Sequence, residues 1–196
     1  MPGRLFFIRH GDTEWSTSGR HTSTSDIPLN TLGESRAEAL AGLLSPFHFD
    51  RVLVSPRLRA RRTCQLAGLG ADAQEEPDLA EWDYGAYEGK TSAEITQGRP
   101  GWNLFQDGCP NGEAPEQVAA RADRLLDRLR PLPGLTALFS HGHFGRVLGA
   151  RWIGLPVIAG ARLLLDPATI SVLSHEHDKL EAPVIGPWGL RPGPLR

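Results

Sequence analysis

Short apolar runs alternate with helical patterns along the chain, and that alternation leaves few folds open to it. Leu5 to Ile8, Val52 to Val54 and Leu135 to Phe139 read as strands. Between and after them, Thr31 to Leu44, Arg57 to Leu66, residues 114 to 129 and Gly145 to Ile153 carry apolar residues near helical spacing. Asn30 or Thr31 can cap the first of these helices, with Glu34 favourable in its first turn. In the third, Val118, Ala122, Leu125, Leu126 and Leu129 share one face. The pattern predicts a single-domain α/β protein of three layers (α/β/α), with a mostly parallel sheet and helices on both faces. Arg162 to Leu165, Ile170 to Ser174 and Lys179 to Val184 read as closing strands, with His175 to Asp178 as a turn between the last two. The expected domain covers residues 1–182. A Pro/Gly-rich tail, 183–196, is expected to be irregular, with docking of Trp188 and Leu190 on the body as the alternative.

Ligands of such sheets bind outside the carboxyl ends of the strands, and here those ends carry chemistry. Arg9-His10-Gly11 follows the first run, Ser55-Pro56-Arg57-Leu58-Arg59 the second, and Ser140-His141-Gly142-His143 the third, so all three can converge on one crevice. A guanidinium offers forked donors that match phosphate oxygens, and a neutral imidazole can attack phosphorus. The formal net charge is only −2, which excludes a strongly cationic protein built to hold nucleic acid; any affinity for anions is local. The N-terminal apolar run is too short for a signal-peptide core, and no stretch approaches the ~20 residues of a membrane helix. The expectation is a soluble cytoplasmic protein that binds no membrane. Cys64 and Cys109 form neither a disulfide framework nor a zinc pattern, and Cys64 falls among apolar helical positions of the core.

Four separated blocks narrow the class. The first runs Arg9-His10-Gly11-Asp12-Thr13-Glu14-Trp15-Ser16, then Gly19-Arg20-His21-Thr22 and Asp26-Ile27-Pro28-Leu29. The others are Ser55 to Ala60 with Thr63, Glu81-Trp82-Asp83-Tyr84-Gly85-Ala86-Tyr87-Glu88-Gly89, and Ser140 to His143. In this order they resemble the histidine phosphatase superfamily, also called the phosphoglycerate mutase-like family, over about residues 4 to 177. The surrounding residues are similar to a branch that includes sedoheptulose bisphosphatase and a mycobacterial acid phosphatase. Phosphoglycerate mutases carry a longer insertion with an arginine pair after the glutamate block. The matching stretch here, Gly101 to Glu113, has none, which favours a phosphatase.

Phosphoryl transfer from a monoester requires that a dianion be neutralised, held in line and given a proton on its leaving oxygen. Arg9 and Arg59 can clamp the non-bridging oxygens, while His141 and the amide of Gly142 donate further hydrogen bonds. His10 is then the nucleophile, kept unprotonated by the neighbouring positive groups. Glu81, beside the phosphate and partly shielded by Trp82 and Tyr84, would hold the proton for the leaving group. The resemblance implies the same roles for these five residues, with a phosphohistidine resolved by water, no metal and no cofactor. It also places Ser16 and Thr22 at polar contacts to the phosphoryl group or substrate. Arg20 and His21, with Lys90 and Arg99, could meet a second phosphate. Ser23 could narrow the pocket.

Rival readings exist for several of these groups. His21, His48 and His143 read equally as ordinary loop or core histidines; Glu14, Asp83 and Glu88 rival Glu81, although Glu88 reads best as ordering its loop. His141, His143, His175 and His177 could be imagined as a metal cluster, and Arg57, Arg61 and Arg62 as solvated or paired. The sequence reading is a phosphomonoesterase acting on a small phosphorylated metabolite, in the range of sugar mono- and bisphosphates. A mutase-type isomerase and a non-catalytic phosphate-binding protein are the alternatives, and a homodimer is left open.

Overall fold

The computed structural model describes residues 2–192. Six strands form one sheet: β1 (Arg4–Arg9), β2 (Arg51–Val54), β3 (Ala73–Glu75), β4 (Leu135–Ser140), β5 (Ile170–His175) and β6 (Pro183–Ile185). Their order is β3-β2-β4-β1-β5-β6, with β1, β2, β3 and β4 parallel and β5 antiparallel to both neighbours. The helices are α1 (Glu14–Thr17), α2 (Thr31–Leu44), α3 (Leu58–Leu66), α4 (Ser92–Gly98), α5 (Leu104–Asp107), α6 (Pro115–Leu129) and α7 (Gly142–Trp152). Among the described residues no helix is long and apolar enough to cross a membrane.

Two cores follow from the pleat. Alternate residues of a strand face opposite sides. Leu5, Phe7 and Leu138 accordingly pack with α6 and α7, whereas Phe6, Ile8, Ala137 and Phe139 pack with Leu40 and Leu44 of α2 and Ala60 and Cys64 of α3. This is the expected three-layer arrangement. Helix α2 has the predicted bounds, and Asn30 caps it by accepting from the Gly33 amide at 2.8 Å. Gly33 is required here, because a Cβ on it would lie 2.1 Å from the Asp12 carbonyl oxygen.

Three expectations change. Residues 162–165 form no strand: Arg162 ends a 3-10 segment, Val157–Arg162, and the carbonyls of Leu164 and Leu165 serve side chains instead of a ladder, accepting from the Trp188 indole and from Arg9. The strand expected over 179–184 shrinks to Pro183–Ile185. His177 and Asp178 adopt positive φ, and the Ala182 amide closes a turn onto Lys179. The segment from Pro183 is irregular only in part. It supplies the sheet's edge strand, and Leu190 bridges Ile170, so Trp188 and Leu190 dock on the body; residues 193–196 lie outside the described residues.

Candidate active site

Register decides where the chemistry sits. Arg9 pairs with Ser140, and Ile8 and Val54 both pair with Phe139, so β1, β2 and β4 end level with one another. His10, Ser55 and His141 leave the sheet at that shared edge. Above it lies a cleft of about 180 Å³, lined by Arg9, His10, Ser16, Arg20, His21, Thr22, Glu81 and Gly142 among the expected residues. Tyr84, Ser92, His143 and Arg146 complete much of the rest of its wall. Arg59 and His141 are wholly buried and stand behind that lining rather than in it.

The His10 ring is fixed by its own backbone. Nδ1 lies 2.7 Å from the Gly11 carbonyl oxygen, to which only a protonated nitrogen can donate, so in the neutral ring the lone pair is on Nε2. Burial, then the charges of Arg59 and Arg9, hold this imidazole well below the usual histidine pKa, with the Gly11 carbonyl opposing them weakly. His141, whose ring centroid is 5.2 Å away, is depressed for the same reasons, burial first and Arg59 next. Ser55 Oγ lies 2.7 Å from His141 Nε2 and also accepts from the Arg57 amide, so its hydrogen is free to go to Nε2. The remaining hydrogen is then on His141 Nδ1, which is buried and has no hydrogen-bond partner among the described residues. Arg9 Nε and Arg59 Nε are buried donors in the same condition.

Arg59 differs from its expected part. Its two terminal nitrogens donate to the carbonyls of Thr22, Ser23 and Ser25, tying down the loop after α1, and Nε alone is left unsatisfied. Glu88 fastens the same loop from the other side by accepting from the amides of Ser23 and Ser25, as its ordering role predicted. Ser23 is buried by these bonds and does not enter the cleft, so it does not narrow the pocket. The Ser16 hydroxyl reaches the cleft wall but belongs to a capping box with Thr13. Lys90 stacks over Tyr87 and Arg99 pairs with Asp107; neither lines the cleft, so the second-phosphate contact expected from them is withdrawn.

Glu81 comes from an irregular segment after a 3-10 turn, Pro77–Leu79, and is positioned by a helix it does not belong to. Its carboxylate accepts from the amides of His143 at 3.0 Å and Phe144 at 2.7 Å, the first turn of α7. That long-range cap is why α7 begins at Gly142, three residues earlier than predicted. The amide of Gly142 remains as a donor of that turn beside His10. Arg121 of α6 secures the segment: it donates to the carbonyls of Asp78, Ala80 and Glu81 and pairs with Glu113 at 2.8 Å. No local signal marks Arg121's hold on this segment, because the carbonyls it bonds are 40 to 43 residues away.

Other side chains resolve as follows. Tyr84 Oη lies 2.6 Å from His143 Nδ1; burial raises the phenol well above its usual pKa and holds His143 well below its own, so the phenol donates. His48 and Glu14 are exposed. Arg62 pairs with Glu34 and Arg61 with Glu75. Both cysteines are buried thiols pushed up to about 12, far from nucleophilic use. Among the described residues no three His, Cys, Asp or Glu side chains converge as a metal site; His175 packs on Trp152 instead.

The depressed histidines make a stability prediction. In the unfolded chain His10, His141 and His143 protonate near pH 6.5, whereas folded they stay neutral to well below it. The unfolded state therefore binds more protons below pH 6.5. Stability is fully present above that value and is lost as pH falls, by about 4 kcal/mol per pH unit for three such groups until the folded values are reached. Urea unfolding at pH 7 and at pH 5.5 measures this, and a midpoint unchanged between them would refute it.

A strand-end imidazole with a fixed lone pair, buried guanidiniums around it and a carboxylate across the cleft define an enzyme of phosphoryl transfer. The chain belongs to the histidine phosphatase superfamily (branch 1), whose family model matches residues 5–185, and it is a phosphomonoesterase of that class. It is 40% identical to an acid phosphatase of Mycobacterium tuberculosis, over 98% of this chain and 96% of that one. It is 30% identical to the sedoheptulose 1,7-bisphosphatase of Saccharomyces cerevisiae, over 93% of this chain and 91% of that one. A solved structure of a Mycobacterium tuberculosis open reading frame product superposes with a TM-score of 0.89 at 37% identity, covering 97% of this chain and 99% of that one. A mycobacterial glucosyl-3-phosphoglycerate phosphatase gives 0.82 at 26%, covering 97% and 100%.

Proposed function

We propose that this chain hydrolyses small phosphorylated metabolites, sugar phosphates among them, through a phosphohistidine on His10 and without a metal ion. The observation that carries the reading is the His10 imidazole, with Nδ1 tied to the Gly11 carbonyl and burial, Arg59 and Arg9 keeping the ring neutral. Nε2 attacks phosphorus and the bond to the leaving oxygen breaks as Glu81 gives that oxygen its proton. A water then gives a proton back to Glu81 and attacks phosphorus, the P–N bond breaks, and phosphate leaves with His10 restored. Arg9, Arg59 Nε, His141 Nδ1 and the Gly142 amide supply the positive and donor groups that the transferring phosphoryl requires. Ser16, Thr22, Arg20 and His21 stand where the ester's remainder would lie.

The mutase reading rests on 30% identity, over 88% of this chain and 85% of the relative, to a "Probable phosphoglycerate mutase GpmB" of Cronobacter sakazakii. Against it, the segment after the glutamate block folds onto the body through buried Trp102 and Phe105 and has no arginine pair. Phosphate release measured in chelator, from an aryl phosphate, sugar mono- and bisphosphates and 3-phosphoglycerate, separates the readings. Metal-independent release, strongly inhibited by vanadate as a mimic of pentacoordinate phosphorus, is the expected result. Isomerisation of phosphoglycerate with little free phosphate would assign a mutase, and silence on every substrate would restore a phosphate-binding protein.

A further inference from the structure

One buried hydroxyl of the strand-end blocks has no part yet in the reaction. Ser55 follows β2 directly and precedes Pro56, a neighbour that keeps it out of helical backbone. Its amide still bonds the Phe139 carbonyl at 2.9 Å, so the ladder runs one residue past the strand, and the residue is wholly buried. His141 is fixed in the same layer: it directly follows β4 with extended backbone, and its carbonyl accepts from the Gly145 amide in the first turn of α7. Strands β2 and β4 are neighbours in the sheet, and their ends bring Ser55 Oγ within 2.7 Å of His141 Nε2, 86 residues away along the chain.

Hydrogen counting gives this contact a direction. Among the described residues Oγ has two partners, the Arg57 amide at 3.4 Å, which can only donate, and His141 Nε2. Were Nε2 protonated, the hydroxyl hydrogen would be left in a buried place without an acceptor. With Nε2 as the acceptor, hydroxyl and ring are both satisfied there, and the one N–H of the neutral imidazole falls to Nδ1. Nδ1 is buried, has no hydrogen-bond partner among the described residues, and belongs to a ring whose centroid is 5.2 Å from that of His10. The other tautomer would offer a phosphoryl dianion a lone pair in place of a hydrogen. We infer that Ser55 is a positioning residue of phosphoryl transfer: its hydroxyl fixes the tautomer and ring angle of His141, so that Nδ1–H is the donor that meets the transferring group. The inference rests on the phosphomonoesterase reading and names what keeps one of its donors in the working form.

The test compares wild type, Ser55→Ala and Ser55→Thr, each with isotope-labelled histidine nitrogens read by NMR at neutral pH, the His141 signals being assigned by their loss in His141→Gln. Wild type should show a protonated Nδ1 and a bare, hydrogen-bonded Nε2. In Ser55→Ala nothing among the described residues donates to Nε2, so the Nε2–H form should appear. There kcat/KM for p-nitrophenyl phosphate should fall about 10²-fold, and inhibition by vanadate should weaken with it. Ser55→Thr keeps a hydroxyl and should restore the Nδ1–H form and most of the rate. A wild type with Nε2–H would overturn the inference even if Ser55→Ala did not fold. An unchanged kcat/KM in Ser55→Ala would overturn it too, as would a loss of rate with the tautomer unmoved, which is the mark of a structural role. A wild type in the Nδ1–H form that releases phosphate from no ester would overturn the phosphomonoesterase reading, and the positioning role with it.

Discussion

His10→Ala is expected to reduce phosphate release to the uncatalysed background, a loss of roughly 10⁴-fold or more, because it removes the atom that accepts the phosphoryl group. The fold should survive. Among the described residues the side chain bonds only the adjacent Gly11 carbonyl, and the imidazole is held in a form that unfolding at low pH would protonate. The variant should therefore unfold cooperatively with a stability that depends less on pH, the slope below pH 6.5 falling by about 1.4 kcal/mol per pH unit. Two independent readings come from one protein, turnover and slope. Labelling with a radioactive phosphoryl donor adds a third: wild type should trap an acid-labile, alkali-stable adduct that the variant lacks. Appreciable hydrolysis by His10→Ala would mean that water is activated directly and that no phosphohistidine forms.

The second large effect belongs to Glu81→Gln. Glutamine keeps an oxygen to accept from the His143 or Phe144 amide, so the start of α7 should persist, but it has no proton of suitable acidity to give. With alkyl phosphates, whose leaving oxygens are basic, kcat is expected to fall about 10²- to 10⁴-fold; with p-nitrophenyl phosphate, whose leaving group departs as an anion, the fall should be far smaller. A plot of rate against leaving-group pKa should thus be steep in the variant and shallow in wild type. Parallel plots would assign the acid to another residue of that wall, such as Tyr84 with its partner His143.

Much of this arrangement is written locally in the chain. The α2 bounds, its Asn30 cap, the central strands and the convergence of His10, Ser55 and His141 follow from patterns of a few residues, because period-2 and helical burial act over that range. What escaped the sequence depends on partners far away along it. Arg59's grip on the Thr22 to Ser25 carbonyls, Arg121's hold on the glutamate segment and the Glu81 cap of α7 each join residues 34 to 63 positions apart. The misread strands at 162–165 and 179–184 have apolar residues but ladder partners of the wrong kind, since side chains and turns take their backbone groups.

The two ends of the sheet order bear on how the molecule meets copies of itself. An exposed strand with free amides and carbonyls is a template on which another chain can add. Here β3 offers three residues, two of them the polar Gln74 and Glu75, and β6 offers three that begin with a proline unable to donate. Beyond β6, the chain runs on irregularly along β5, so that Leu190 and Ile170 satisfy one another. The sheet is thereby blunted on both sides, and growth by strand addition has no long, straight ladder from which to start.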